Sequence, residues 1–293
     1  MNLQSLIPLV LKASVLLNVF AIGLQASAQD ATYLFRRPRK LASAILAMNV
    51  VMPVLAVAMV IVLDLDPAVN IALVALSVSP IPPLLPKKLV KAGGTASYAV
   101  GLLITIGLLS IIFVPLAMEV IERVLKVPLQ MSTISLATLI FTTVLLPIGL
   151  GAAVHRFVPS VAERLAKPIT QVAVIGLLAC VVAILFVAAP MIWALMGNGT
   201  GIALAAFVLV GLAVGHVLGG PEPENRTALA LSTASRHPGI AVAIAQTNFP
   251  EQKLAMAAVL LYLLVNAVVS IPYQAWAKRR IPDAENQDGR PLS

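Results

Sequence analysis

The sequence predicts an all-α polytopic membrane protein with about nine transmembrane helices, and three observations carry that prediction. Of 293 residues, 60% are hydrophobic and only 11% are charged, with a mean hydropathy of +0.99. Apolar runs of about 20 residues, long enough to cross a bilayer as a helix, recur along the whole chain. Two of them, 75–83 (ALSVSPIPP) and 230–238 (ALSTASRHP), share an Ala-Leu-Ser opening. In both, a proline stands six residues after the serine, Pro83 after Ser77 and Pro238 after Ser232.

The runs fall at 4–27, 39–63, 68–91, 95–118, 132–155, 168–189, 200–220, 226–248 and 252–277. The first carries Lys12 and ends near Ala26-Ser27-Ala28, which has the outline of a signal-peptide cleavage site. No basic residue precedes its apolar stretch, and Arg36, Arg37, Arg39 and Lys40 follow at once, so the expectation is a retained span with Lys12 snorkelling to the headgroups. The second holds Met52-Pro53. Pro80, Pro82, Pro83 and Pro86 break the third, and the fourth opens at Gly93-Gly94 and ends in Val114-Pro115-Leu116. The sixth contains Cys180, the sole cysteine, which suits packing and rules out a disulfide framework. Gly211, Gly215 and Gly219 in the seventh span, at four-residue spacing, predict close helix contact. Links between runs are short, which predicts one membrane domain over 1–280 and a polar tail over 281–293.

The net charge of +8 does not mark a nucleic-acid surface, because the cations sit at span ends rather than on one patch. Placing the N-terminus outside puts Arg36, Arg37, Arg39, Lys40, Lys87, Lys88, Lys91, Arg156, Arg164, Lys167, Arg226, Lys278, Arg279, Arg280 and Arg290 on the inner side. Only Arg123, Lys126 and Lys253 remain outside. This asymmetry predicts a multi-pass protein of the cell's inner membrane with its N-terminus out and its C-terminus in the cytoplasm.

A proline in a span removes a backbone donor, and only protein or a water-lined cavity can satisfy the carbonyl left behind. Broken spans also present half-helix ends, where ions and charged substrates can be held. The candidate substrate or ion-site residues are therefore those flanking the breaks: Ser77, Ser79 and Pro83 in one, and Ser232, Thr233, Ser235, Arg236 and His237 in the other. Arg236 is the most informative of these, since a guanidinium near the bilayer centre must be paired or face a cavity. Two roles suit it: bonding the carbonyls freed by Pro80 to Pro86, or binding an anionic substrate. Glu222, Glu224 and Arg226, beside Gly219 to Pro223, read as a solvated inner loop suited to a gate.

The order Gly23-Leu24, Arg36-Arg37-Pro38, Met52-Pro53, a proline-broken span, Gly93-Gly94 and Val114-Pro115-Leu116 resembles the bile acid:sodium symporter family over the whole chain. The resemblance implies two inverted repeats of five helices, the first helix missing here, with spans one to four pairing with six to nine. It also implies two broken helices that cross in a core, and a separate panel that moves against it. The chain departs from the family at the sodium site. The family's glutamate, glutamine and asparagine at the second break correspond here to Ser232, Arg236 and His237. The Ser-Asn pair of the other crossing helix corresponds to Leu85 and Pro86, and the hydroxyl ligands that follow correspond to Ala99 and Leu103. Hard cations need oxygen ligands and a compensating carboxylate, and neither crossing segment holds Asp or Glu. Sodium is thus a partner by resemblance whose usual ligands are missing.

No phosphate-cradling glycine loop, clustered metal ligands or activated nucleophile is present, and His155, His216 and His237 are scattered in sequence. The sequence accordingly predicts a non-enzyme without cofactor or resident metal: a secondary transporter of a small organic anion through the bilayer. A membrane sensor that keeps the fold without transporting is the alternative. Neither substrate identity nor oligomeric state is specified by any residue pattern.

Overall fold

The computed structural model describes residues 3–127, 131–197 and 199–280, so the expected polar tail at 281–293 lies outside the described residues. All regular elements among the described residues are helical. In chain order they are α1 (Leu3–Gln25), α2 (Ala28–Ala31), α3 (Pro38–Ile45), α4 (Met52–Val62), α5 (Pro67–Val78), α6 (Leu85–Lys91) and α7 (Ala96–Leu125). There follow α8 (Thr133–Ile140), α9 (Leu146–Phe157), α10 (Pro159–Ala194), α11 (Thr200–Leu218), α12 (Pro223–Ala234), α13 (Pro238–Asn248) and α14 (Leu254–Arg280).

Among the described residues, seven helices are long and apolar enough to cross a membrane: Leu6–Gln25, Pro38–Val62, Ala96–Leu125, Ile134–Phe157, Pro159–Ala194, Thr200–Leu218 and Leu254–Arg280. The third and eighth expected runs are instead two pairs of short helices, α5 with α6 and α12 with α13. Three boundaries differ from the sequence expectation by five residues or more. Helix α10 begins at Pro159 rather than at 168 and ends at Ala194 rather than at 189, and α7 runs to Leu125 rather than to 118. Hydropathy marks only the apolar stretch of a helix. Beyond it, Glu163, Arg164 and Lys167 still favour helix, and Glu119 and Arg123 pair at 2.6 Å one turn apart.

Local chemistry sets the interruptions. Asp66 caps α5, its Oδ1 accepting from the Ala68 amide at 2.8 Å, and Pro67 follows in the first turn. Helix α5 then stops where Pro80, Pro82 and Pro83 withhold the next donors. Two π-helical stretches, Leu46–Val51 and Phe141–Leu145, each end two residues before a proline, Pro53 and Pro147. The missing N–H at each proline breaks the α ladder and favours the wider turn.

Buried apolar residues form two clusters, the larger of which also takes in Val19 and Ile22 of α1 and Ala188 and Ile192 of α10. Helices α1, α9 and α10 pack on one another, with Leu24, Ala162 and Ala166 buried at their shared end. Gly23 and Gly151 let α1 and α9 touch backbone to backbone: a Cβ on Gly23 would lie 2.9 Å from the Gly151 Cα. Cys180 of α10 is buried in this group, in keeping with a packing role. The larger apolar core surrounds α5, α12 and α13, which α14 backs, and α11 packs on α12. The expected small-residue contact is that seam: a Cβ on Gly215 would stand 2.5 Å from the Ala230 Cα, and one on Gly219 2.4 Å from the Arg226 Cα. Between α1 and α3, Ser27 and Asp30 cap α2 reciprocally, Ser27 Oγ donating to Asp30 Oδ2 at 2.7 Å. Partial burial opposes ionisation of Asp30, but hydrogen bonds from Ser97 and Ser27 outweigh it and hold the carboxyl below its ordinary pKa.

Candidate functional site

The two broken segments meet at their breaks. Helix α5 packs against α13 and α12 against α6, so each half-helix faces the opposite half of its counterpart. The His237 amide donates to the Pro80 carbonyl at 2.9 Å, a backbone hydrogen bond from one break to the other. Arg236, only 2% exposed, fills the junction. Its Nη1 donates to the Ser79 carbonyl at 3.3 Å and its Nη2 to the Met48 carbonyl at 2.9 Å.

Both acceptors are carbonyls that proline deprives of a helical partner. In an α-helix the Ser79 oxygen would accept from the residue four positions on, which is Pro83. The Met48 oxygen lies in a π-helical stretch, where the donor is five positions on, and that residue is Pro53. Arg236 supplies both missing donors. Of its two expected roles, the geometry matches the bonding of freed carbonyls, and Arg236 is not among the residues that line the two cavities described below.

The remaining candidates divide by where their polar atoms go. His237 caps α13, its Nδ1 accepting from the Ile240 amide at 3.3 Å, leaving the proton of a neutral ring on the buried Nε2, which has no partner among the described residues. Ser235 Oγ accepts from Asn266 Nδ2 of α14 at 3.3 Å, and Ser270 bonds Asn266 in turn at 2.9 Å. Tyr262 of α14 donates its hydroxyl to the Ala234 carbonyl at the end of α12. The hydroxyls of Ser77, Ser79 and Thr233 bond their own helices, to Val74, Ala75 and Leu229 at 2.8, 2.6 and 2.8 Å. Pro83 is buried, and the buried Ser232 Oγ has no partner among the described residues. The junction thus unites Ser79, Arg236 and His237, Ser235 is tied to α14, and Ser77 and Thr233 act locally.

A second region was not singled out by the sequence reading. A cavity of about 570 Å³ is lined by Gln25 at the end of α1, Lys87 of α6, His155 of α9, and Glu163, Lys167 and Thr170 of α10. His155 Nδ1 lies 2.8 Å from the Leu24 carbonyl. A carbonyl only accepts, so Nδ1 carries the proton and Nε2 of the neutral ring is an acceptor. The Thr170 hydroxyl is buried without a partner among the described residues. Sequence reasoning took Lys87 and Lys167 as markers of orientation and His155 as isolated. The available signal was that the third, fifth and sixth spans all place these polar residues at ends on one side of the membrane.

At the opposite end a smaller cleft of about 130 Å³ is lined by Glu119, Glu122, Met131 and Asn248. There the Met131 amide donates to Asn248 Oδ1 at 2.8 Å, tying the segment before α8 to the end of α13. The Glu222 loop is tied down as well: Lys40 reaches Glu222 at 2.6 Å, joining the start of α3 to the start of α12.

No curated protein matches the chain. The sequence pattern of the sodium bile acid symporter family matches residues 13–195, more than half of the chain, which includes the first break and stops short of the second. With helices that cross a membrane repeatedly and a family match over most of its length, this chain belongs to the sodium bile acid symporter family.

Proposed function

We propose that this protein is a secondary transporter of a small organic anion in the cell's inner membrane, working by alternating access. The observation that carries the reading is the lysine-bearing cavity beside the crossing. Lys87 stands on the half-helix that follows the first break, and Lys167 lines the same space from α10, which packs with α1 and α9. Two cations against the single carboxylate of Glu163 favour an anion, and the volume of about 570 Å³ falls within the range of small-molecule sites. Gln25, Thr170 and His155 Nε2 add neutral hydrogen-bonding groups that suit a hydroxyl- or carbonyl-bearing acid.

On this reading α1 and α8 to α10 form a panel, and α3 to α7 with α11 to α14 form the core. Counting each broken pair as one crossing gives nine spans, the first four related to the last four as an inverted repeat. The lysine cavity opens to the cytoplasm, in line with the positive ends of the spans. At the opposite end the bond from the Met131 amide to Asn248 supports an inward-facing state.

The test is thermal stabilisation of the purified protein by pyruvate, 2-oxoglutarate and taurocholate, followed by their uptake into sealed vesicles. A ligand that binds only the folded state raises its melting temperature. The expected result is stabilisation by at least one of these acids, lost in the double variant K87Q/K167Q, with accumulation in vesicles. Stabilisation without flux would assign a sensor instead, and stabilisation unchanged in the double variant would move the site away from the cavity.

A further inference from the structure

We infer that Arg236 is a tethered cation standing where a bound metal cation would otherwise be needed, so that the crossing is complete without sodium. The argument starts from the ends of α5 and α12, which are both carbonyl-rich C-termini meeting at one junction. Each helix C-terminus carries roughly half a negative charge; α6 and α13 bring N-termini of opposite sign to the same breaks, so the negative potential is local to the C-terminal carbonyls. Neither break, 79–84 or 235–237, contains Asp or Glu, and among the described residues the guanidinium forms no ion pair. The charge of Arg236 therefore answers helix ends and carbonyls rather than a carboxylate.

The ligand set has the character of a cation site. The Ser79 and Met48 oxygens come from two different elements, are inward-facing, and lack helical donors because of Pro83 and Pro53. Backbone carbonyls of this kind bind hard cations readily. A guanidinium holds them by the same electrostatics, with the difference that it cannot leave. A mobile ion couples two gradients because it binds and dissociates; a covalently tethered one contributes its charge permanently and couples nothing. The family is named for sodium, and this chain meets the same demand from its own sequence. For transport the inference rests on the anion-carrier reading; the charge argument itself does not.

The experiment needs no organic anion, so its outcome is separate from whether the protein transports. The melting temperature of the purified full-length protein is measured in sodium chloride and in choline chloride of equal ionic strength. Wild type is expected to melt identically in both. R236Q, which vacates the carbonyls, is expected to melt lower in choline and to regain a few degrees with saturating sodium. The double variant S232E/R236Q, which adds a carboxylate, should respond more strongly, and R236K, which keeps the charge, should remain indifferent to sodium. A saturable rise of the wild-type melting temperature with sodium overturns the inference. So does a folded R236Q that ignores sodium, since the guanidinium would then be only a hydrogen-bond donor.

Discussion

The break between α5 and α6 runs from Ser79 to Leu84 and contains Pro80, Pro82 and Pro83, whereas that between α12 and α13 spans only Ser235 to His237. The first is rich in carbonyls and poor in donors, because each proline has removed one. The second is rich in donors: the Arg236 guanidinium and the His237 amide both reach out of it to acceptors at the first break. A pair of broken helices need not be chemically symmetric. Here one partner creates the unsatisfied groups and the other satisfies them, which makes the two breaks one structural unit in a bilayer that offers no water as a substitute.

Changes at the donor side should therefore cost more than changes elsewhere in either segment. The largest effect is expected for R236A, which strands two buried carbonyls; a loss of about 3 kcal/mol or more should show as a lower melting temperature and poor recovery in detergent. A variant as stable as wild type would break the comparison outright. Next comes the seat of the second segment on α11. G215A would place a Cβ 2.5 Å from the Ala230 Cα, an overpacking that costs about 1–3 kcal/mol. G149A, with nothing within 4 Å, is the control expected to leave the melting temperature unchanged.

A smaller loss, about 1 kcal/mol, is expected for Y262F, which removes the hydroxyl that α14 offers to the Ala234 carbonyl at the end of α12. Differential scanning fluorimetry alongside F207L, which alters the ring packed on Tyr262, separates the hydroxyl from the aromatic contact. The smallest effects belong to hydroxyls that serve only their own helix. S77A should change stability by no more than about 0.5 kcal/mol. S232A should be neutral or slightly stabilising, because the Ser232 Oγ is buried with no partner to lose. Loss of transport in S232A with normal folding would sharpen the picture by marking that oxygen as a ligand.

How much of this was legible before the structure follows from what each feature depends on. Proline placement is local, so Pro83 and Pro238 announced both breaks, and the glycine spacing in the seventh span announced its contact with α12. Arg236 stood out because its cost in lipid is a property of the residue alone. Its acceptors did not. Met48 lies far away in sequence, and its carbonyl is free only because a π-helical turn before Pro53 shifts the ladder, which no hydropathy pattern reports. The cavity was hidden for a similar reason: Lys87, His155 and Lys167 come from three spans, and each alone has an ordinary explanation at a helix end. Helix limits were misread where charged residues continue a helix beyond its apolar stretch, as at Pro159 and Leu125.

The most direct test of the account is exchange of labelled pyruvate, 2-oxoglutarate and taurocholate in sealed proteoliposomes, run in choline medium free of sodium and again in sodium. A carrier whose crossing is completed by Arg236 exchanges at least one of these acids at the same rate in both media and loses that exchange in K87Q/K167Q. Exchange that appears only when sodium is added, or no exchange of any acid in either medium, would contradict it.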